Sequence, residues 1–429
     1  MKLTKVKGFS GEVTVPGDKS ISHRSVMLGA LAKGKTEVYG FLQGADCLSS
    51  IACFRKMGVE IENAGSADGV VTIQGRGLHG LLAPDETLDV GNSGTTTRLM
   101  SGILAAQDFT ARVNGDASIQ KRPMGRIITP LSLMGADITS EKENGCAPLI
   151  IRGKQLHGIC YDSPVASAQV KSAVLFAGLY AEGETSVTEP AVSRNHTELM
   201  FREFGVDISA AGKTVTVKPA AELYARKVFV PGDISSAAYF IVAGLITPNS
   251  GITIRNVGIN PTRDGILRVC EMMGANLQVE EHVGRAGEPT ADITVKTSSL
   301  VGCTIGGDII PTLIDEIPAI AVLACFAEGE TVIKDAQELK VKESNRIDVM
   351  VGNLKLMGAD IEATEDGMII RGGKPLHGAV IDSKLDHRVA MSFAVAAMNA
   401  DGETEITGSE CVDISYPEFY KDMEHLFKK

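Results

Sequence analysis

The chain predicts an α/β fold in two halves, each built of three β-α-β-α-β-β repeats around buried parallel helices, and three observations carry that expectation. VTVPGDKSISHR, from Val13 to Arg24, returns as VFVPGDISSAAY from Val228 to Tyr239, an offset of 215 residues in a chain of 429. Such an offset marks an internal duplication. Six loops that join an apolar strand to a helix start, centred on Asp18, Asn92, Asp162, Asp233, Asp308 and Asp382, recur every 70 to 75 residues. That is the length of one supersecondary unit. Finally, the helices are of two kinds. SSAAYFIVAGLI from Ser235 and VAMSFAVAAMNA from Val389 are apolar nearly all round and belong inside. CLSSIACFRKMG from Cys47 and RIDVMVGNLKLMG from Arg346 are amphipathic and belong outside.

Within each repeat the elements follow in order. The first strand enters the loop and the apolar helix. A second strand and the amphipathic helix come next, and that helix stops at MGVEI from Met57, MGADI from Met134, FGVDI from Phe204, MGANL from Met273 or MGADI from Met357. Glycine there reads as a helix stop before a strand. A hairpin closes the unit, as in DGMIIRGGKPLHG ending at Gly378, where alternating apolar residues meet Gly-rich turns. The opening strand finds its partner motif only at the C-terminus, so the first 18 residues are expected to close the second half. This gives domains of residues 19–228 and of 1–18 plus 229–429, with crossovers near Asp18 and Lys227 acting as a hinge.

Composition limits the function. The 44% hydrophobic content supports large cores, and a net charge of −11 offers no basic field for nucleic acid. The N-terminal MKLTKVKGFSGEV has no apolar core of signal-peptide length, and the apolar runs near Ala237–Ile246 and Ile317–Ala327 are too short to span a bilayer. A cytoplasmic protein without membrane or nucleic-acid partners is expected. The eight cysteines contain no C-x-x-C pair, so reduced thiols are favoured over a zinc site or disulfides.

Cations decorate the loops unevenly. Lys19, His23 and Arg24 of the first copy face Ile234, Ala238 and Tyr239 of the fourth. The fold therefore does not need these basic residues, and GDKSISHR can hold a phosphate or carboxylate at a helix start. A Ser20 or Ser22 side chain could serve merely as an N-cap. GNSGTTTR, from Gly91 to Arg98, offers Gly91 and Gly94 for close backbone approach, and KRPMGR places Arg122 before Pro123 at a helix entry. SPVASAQVKS from Ser163 carries Ser167 and Gln169, and SRNHTE runs from Ser193; polar residues there also suit capping. In the second half, LIDEIP sets Asp315 and Glu316 at the edge of an apolar helix, where desolvation suits a base and ordinary helix-start charge is the alternative. ELKVKESNR, from Glu338 to Arg346, and DHR, from Asp386 to Arg388, add cations at matching repeat positions. The helix starts of both halves are expected to face one cleft.

In its order and spacing, the set GDKSISHR, GNSGTTTR, KRPMGR, SPVASAQ, SRNHTE, LIDEIP, KVKESNR and DHR resembles the 5-enolpyruvylshikimate-3-phosphate synthases over essentially the whole chain. The resemblance implies two inverse α/β barrel-like domains closing on the active site in the interdomain cleft. It implies transfer of the enolpyruvyl group of phosphoenolpyruvate to the 5-hydroxyl of shikimate 3-phosphate, with release of phosphate. By the same resemblance the enzyme is a monomer of the shikimate pathway of aromatic amino acid biosynthesis, without metal or organic cofactor. Lys19, Ser20, Arg24, Ser167, Ala168, Gln169, Ser193, Arg194, Asp315 and Lys342 would approach shikimate 3-phosphate. Lys19, Gly94, Arg122, Gln169, Arg346 and Arg388 would line the phosphoenolpyruvate pocket. Asp315 and Glu343 would be the catalytic base and acid, assisted by Lys19. The chain departs from some members at Ile414 and Ser415, where they carry a lysine, and at Ala168, where they carry a serine. Two alternatives are a UDP-N-acetylglucosamine enolpyruvyltransferase, whose loop cysteine is missing from NGDASIQKRP, and a non-catalytic repeat scaffold that binds a phosphorylated metabolite.

Overall fold

The computed structural model describes residues 1–64, 69–282 and 287–427. They form two compact units, one of Gly17–Val230 and one of Met1–Pro16 with Pro231–Lys429. No helix among the described residues is long and apolar enough to cross a membrane.

Three four-stranded sheets build the first unit. Their strand orders are Lys227–Phe229, Lys33–Tyr39, Val71–Arg76, Glu60–Glu62; then Leu88–Asp89, Thr110–Asn114, Leu149–Arg152, Asp137–Ser140; then Cys160–Asp162, Thr185–Thr188, Thr214–Val217, Ile208–Ala211. In each sheet the first pair is parallel and the other two pairs are antiparallel. A parallel pair needs a crossover, which the apolar helix supplies in the second and third of these sheets, whereas the antiparallel pairs need only turns. The second unit repeats this order in two four-stranded sheets and one three-stranded sheet. Each of the six sheets stays separate, so the α/β repeats form layers without a closed barrel among the described residues.

The leading strands are exchanged. Ser10–Val13 precedes the first helix of the Gly17–Val230 unit, yet it pairs in parallel with Gly251–Gly258. Lys227–Phe229, which comes just before the matching helix of the other unit, pairs with Lys33–Tyr39. Lys2–Thr4 lies antiparallel to Glu403–Thr407, the middle strand of the three-stranded sheet. The N-terminal segment thus gives two strands to the second unit.

Six helices form the cores: α1 (Lys19–Leu31), α2 (Gly94–Leu104) and α3 (Ala168–Gly178) in the first unit, α4 (Ile234–Ile246), α5 (Ile317–Cys325) and α6 (His387–Ala397) in the second. Every residue of α4, α5 and α6 is buried. Apolar residues on all sides can satisfy such a position, each side chain contributing roughly 1.5–3 kcal/mol when removed from water. One apolar cluster includes Leu28, Met100 and Phe176, and a separate one includes Phe240, Ile320 and Phe393. Where α2 and α3 meet, a Cβ on Gly102 would lie 2.1 Å from the Ala173 carbonyl oxygen, so only glycine permits the contact.

Outer helices end at the predicted stops: Gly58, Gly135, Gly205, Gly274 and Gly358 all have φ between +76° and +96°. That left-handed turn satisfies the last helical carbonyls at no Cβ penalty. Asp18, Ser93, Ser167, Asp233 and Asp386 cap the starts of α1, α2, α3, α4 and α6, their side chains accepting from the backbone N–H of Ile21, Thr96, Val170, Ser235 and Arg388. The loops after Asp162 and Asp382 run on before the helix begins, so Ser167 and Asp386 occupy those caps, and after Asp308 a short helix, Ile310–Leu313, precedes α5, whose N-cap position is Glu316. α5 starts without a side-chain cap and carries Pro318 in its first turn.

Candidate active site

At the start of α1, the Lys19 Nζ donates to Asp46 Oδ2 at 2.9 Å, with 17% and 9% of their side chains exposed. Asp46 sits in the first turn of the outer helix Ala45–Lys56. Ser20 is half-buried beside it. Arg24 is buried, with its Nε on Thr197 Oγ1 at 2.6 Å, Nη1 on the Ser20 carbonyl at 2.9 Å and Nη2 on Ser172 Oγ at 2.7 Å. It therefore joins α1 to α3 and to the helix His196–Glu203. Between these two cations His23 is fully buried, its Nδ1 2.8 Å from Ser50 Oγ, which in turn meets Thr96 Oγ1 at 2.7 Å. Burial, then Lys19 and Arg24, hold the imidazole well below its ordinary 6.5, so it is neutral at pH 7.

Gly94 opens α2, and a Cβ there would stand 3.2 Å from Arg122 Nη1 and 3.3 Å from Arg98 Nη1. Its bare backbone lets two guanidinium groups approach one helix start, the kind of place that favours an anion. Arg122 Nη2 is steadied by Asn92 Oδ1 at 2.6 Å. Arg98 Nη1 donates to Gln169 Oε1, and Gln169 Nε2 donates to Thr95 Oγ1 at 3.0 Å. Gln169 lies in the first turn of α3 behind Ala168, and Ser167 caps the same helix. Ser193 is buried in the following loop, and Arg194 is half-buried. Lys19, Gly94, Ser167 and Gln169 are placed at starts of central helices, and Arg122 is bonded to Asn92 in the loop that opens α2.

In the second unit the remaining candidates converge on Arg346, which is 1% exposed. Its Nε and Nη2 donate to Asp386 at 2.9 and 3.3 Å, its Nη2 to Glu343 Oε2 at 2.6 Å and its Nη1 to Asp315 Oδ1 at 3.4 Å. Burial opposes the charge, but Asp386, then Glu343 and Asp315, more than offset it, and the guanidinium pKa rises above its ordinary value. Asp315 also takes Lys342 Nζ at 3.2 Å and faces Arg388 Nη2 at 3.9 Å. Arg388 is likewise buried and likewise raised: burial opposes its charge, while Asp315 leads the groups favouring it. Asp386 does two jobs here, capping α6 through the Arg388 N–H and gripping Arg346. Asp315, Lys342, Glu343, Arg346 and Arg388 come from three separate stretches of chain. The structure brings them together around Arg346.

The chain matches the family model described as EPSP synthase (3-phosphoshikimate 1-carboxyvinyltransferase) over residues 3–423. It belongs to the EPSP synthase family. A protein of Bacillus thuringiensis strain Al Hakam named 3-phosphoshikimate 1-carboxyvinyltransferase is 57% identical over 421 residues, covering 98% of this chain and 97% of the relative. Another of that name from Shouchella clausii is 55% identical, with the same coverage. The solved EPSP synthase structure from Acinetobacter baumannii superposes with a TM-score of 0.88 at 49% identity, covering 99% of this chain and 97% of that one.

Within this EPSP synthase family member, several residues next to the candidates escape motif reading. Arg98 ends GNSGTTTR, but its role beside Gly94 and Gln169 depends on α2 turning it toward α3. Asp46 and Glu189 lie outside the motifs, and Glu189 accepts the backbone N–H groups of both Ser167 and Ser193. A carboxylate following a motif cation by 27 residues has no signal in a single sequence.

Proposed function

We propose that this protein transfers the enolpyruvyl group of phosphoenolpyruvate to the 5-hydroxyl of shikimate 3-phosphate. The observation that carries the proposal is the gathering of Asp315, Glu343, Lys342 and Arg388 around the buried Arg346. In the proposed reaction the hydroxyl oxygen bonds to C2 of phosphoenolpyruvate while its proton passes to a base and C3 gains a proton. The C2–phosphate bond then breaks, a C3 proton leaves and the vinyl ether remains. Asp315 and Glu343 are the carboxylates suited to these transfers, and both are fixed by Arg346. Lys19, whose ammonium is held on Asp46, would assist and offset developing charge.

Two anionic substrates repel each other, and bringing their reacting carbons together requires cations on all sides. Lys19, Arg24, Arg122, Lys342, Arg346 and Arg388 supply that balance in a chain whose net charge is −11. Ser20, Gly94, Ser167, Ala168, Gln169, Ser193 and Arg194 complete the substrate-binding set. We propose that the enzyme acts as a cytoplasmic monomer. Asp315→Asn and Glu343→Gln are expected to lose at least a hundredfold in turnover while still binding shikimate 3-phosphate in a calorimeter. Unchanged turnover in both variants would overturn the catalytic assignment.

A further inference from the structure

Lys171 is 1% exposed in α3 and carries its charge into the interior of the first unit. Its Nζ meets Glu189 Oε2 at 3.0 Å, Glu198 Oε1 at 2.7 Å and the Ser193 carbonyl at 3.3 Å. A buried ionic cluster is a poor way to gain stability, because desolvation consumes most of the attraction. The hydrogen bonds of Glu189 suggest a different use. Oε1 accepts the Ser167 N–H at 3.0 Å, and Oε2 accepts the Ser193 N–H at 3.3 Å and the Ser193 hydroxyl at 2.9 Å.

We infer that Glu189, held in place by Lys171, is a positioning residue for acceptor binding, one buried carboxylate that sets the places of both Ser167 and Ser193. The inference rests on the reading of these serines as shikimate 3-phosphate ligands. Ser167 starts α3 and Ser193 lies in the loop before the helix His196–Glu203, so no single element fixes their separation. The carboxylate does so, because its two oxygens take one serine each. It also sets the polarity of Ser193: with its proton committed to Glu189, the hydroxyl oxygen offers lone pairs, which suit a hydroxyl donor on the ligand.

Glu198 separates this role from a merely structural one. It touches the same ammonium through Oε1, while its Oε2 is buried with no hydrogen-bond partner among the described residues. In Glu189→Gln the single amide oxygen must stay with Lys171 and Ser193, which turns the NH2 group toward the Ser167 N–H, donor against donor. The expected result is a rise of about tenfold in KM for shikimate 3-phosphate, with KM for phosphoenolpyruvate within about twofold. Glu198→Gln should leave both constants within about twofold. Unchanged KM for shikimate 3-phosphate in Glu189→Gln, an equal rise in both constants, or the same selective rise in Glu198→Gln would overturn the inference. If Glu189→Gln fails to fold, Glu189→Asp, which keeps the charge and withdraws it by one methylene, is held to the same selective rise. No turnover of the native chain with these substrates would instead sink the functional reading and this inference with it.

Discussion

Arg346 and His23 show opposite solutions to burying a titratable group. Arg346 keeps its charge because three carboxylates surround it, whereas His23 gives its charge up among hydroxyl neighbours and two nearby cations. The unfolded chain takes up a proton at His23 near its ordinary value of 6.5, and the folded chain resists it to a much lower pH. The unfolded state therefore binds more protons in that window, and stability falls as pH drops below about 6.5 toward the depressed folded value. Thermal melting between about pH 7.5 and 5.5 should show a steeper fall for the native chain than for His23→Asn. Parallel slopes would remove His23 from the account. Lys19, Asp315 and Arg346 stand out in the sequence because each lies in a motif, GDKSISHR, LIDEIP or KVKESNR. Glu189 and Asp46 do not, since their meaning comes only from which elements the fold sets side by side.

For the elements, periodicity made most of the structure legible. The apolar helices are inside, the five Met-Gly or Phe-Gly stops adopt left-handed turns, and the hairpins close their sheets. What composition hides is close backbone approach. Gly102 looks like any small residue in an apolar helix, yet α2 lies so near α3 that a methyl group would collide with the Ala173 carbonyl at 2.1 Å. Gly274, by contrast, has open space around its missing Cβ and only a φ of +76° to protect. Gly274→Ala should cost about 1 kcal/mol of strain. Gly102→Ala should cost about 3 kcal/mol or more, since backbone must move against backbone. Urea unfolding followed by circular dichroism would measure both, and equal losses would contradict this packing of α2 on α3.

Across the whole molecule, the duplication explains why cations appear at some loops and not at others. α4 repeats the capping aspartate of α1, Asp233 for Asp18, while Ile234, Ala238 and Tyr239 replace the basic residues. Five of the six central helices keep a side-chain cap, whereas the basic residues of GDKSISHR have no counterpart at α4. The exchanged leading strands were partly legible, because the N-terminal strand had no completed motif nearby. The pairing of Lys227–Phe229 with Lys33–Tyr39 was not, since a three-residue strand has no period to read. The reaction itself is tested most directly by phosphate release from phosphoenolpyruvate, with shikimate 3-phosphate and UDP-N-acetylglucosamine offered in parallel. Release with shikimate 3-phosphate alone is the predicted result; release with the nucleotide sugar alone, or with neither acceptor from folded protein, would contradict it.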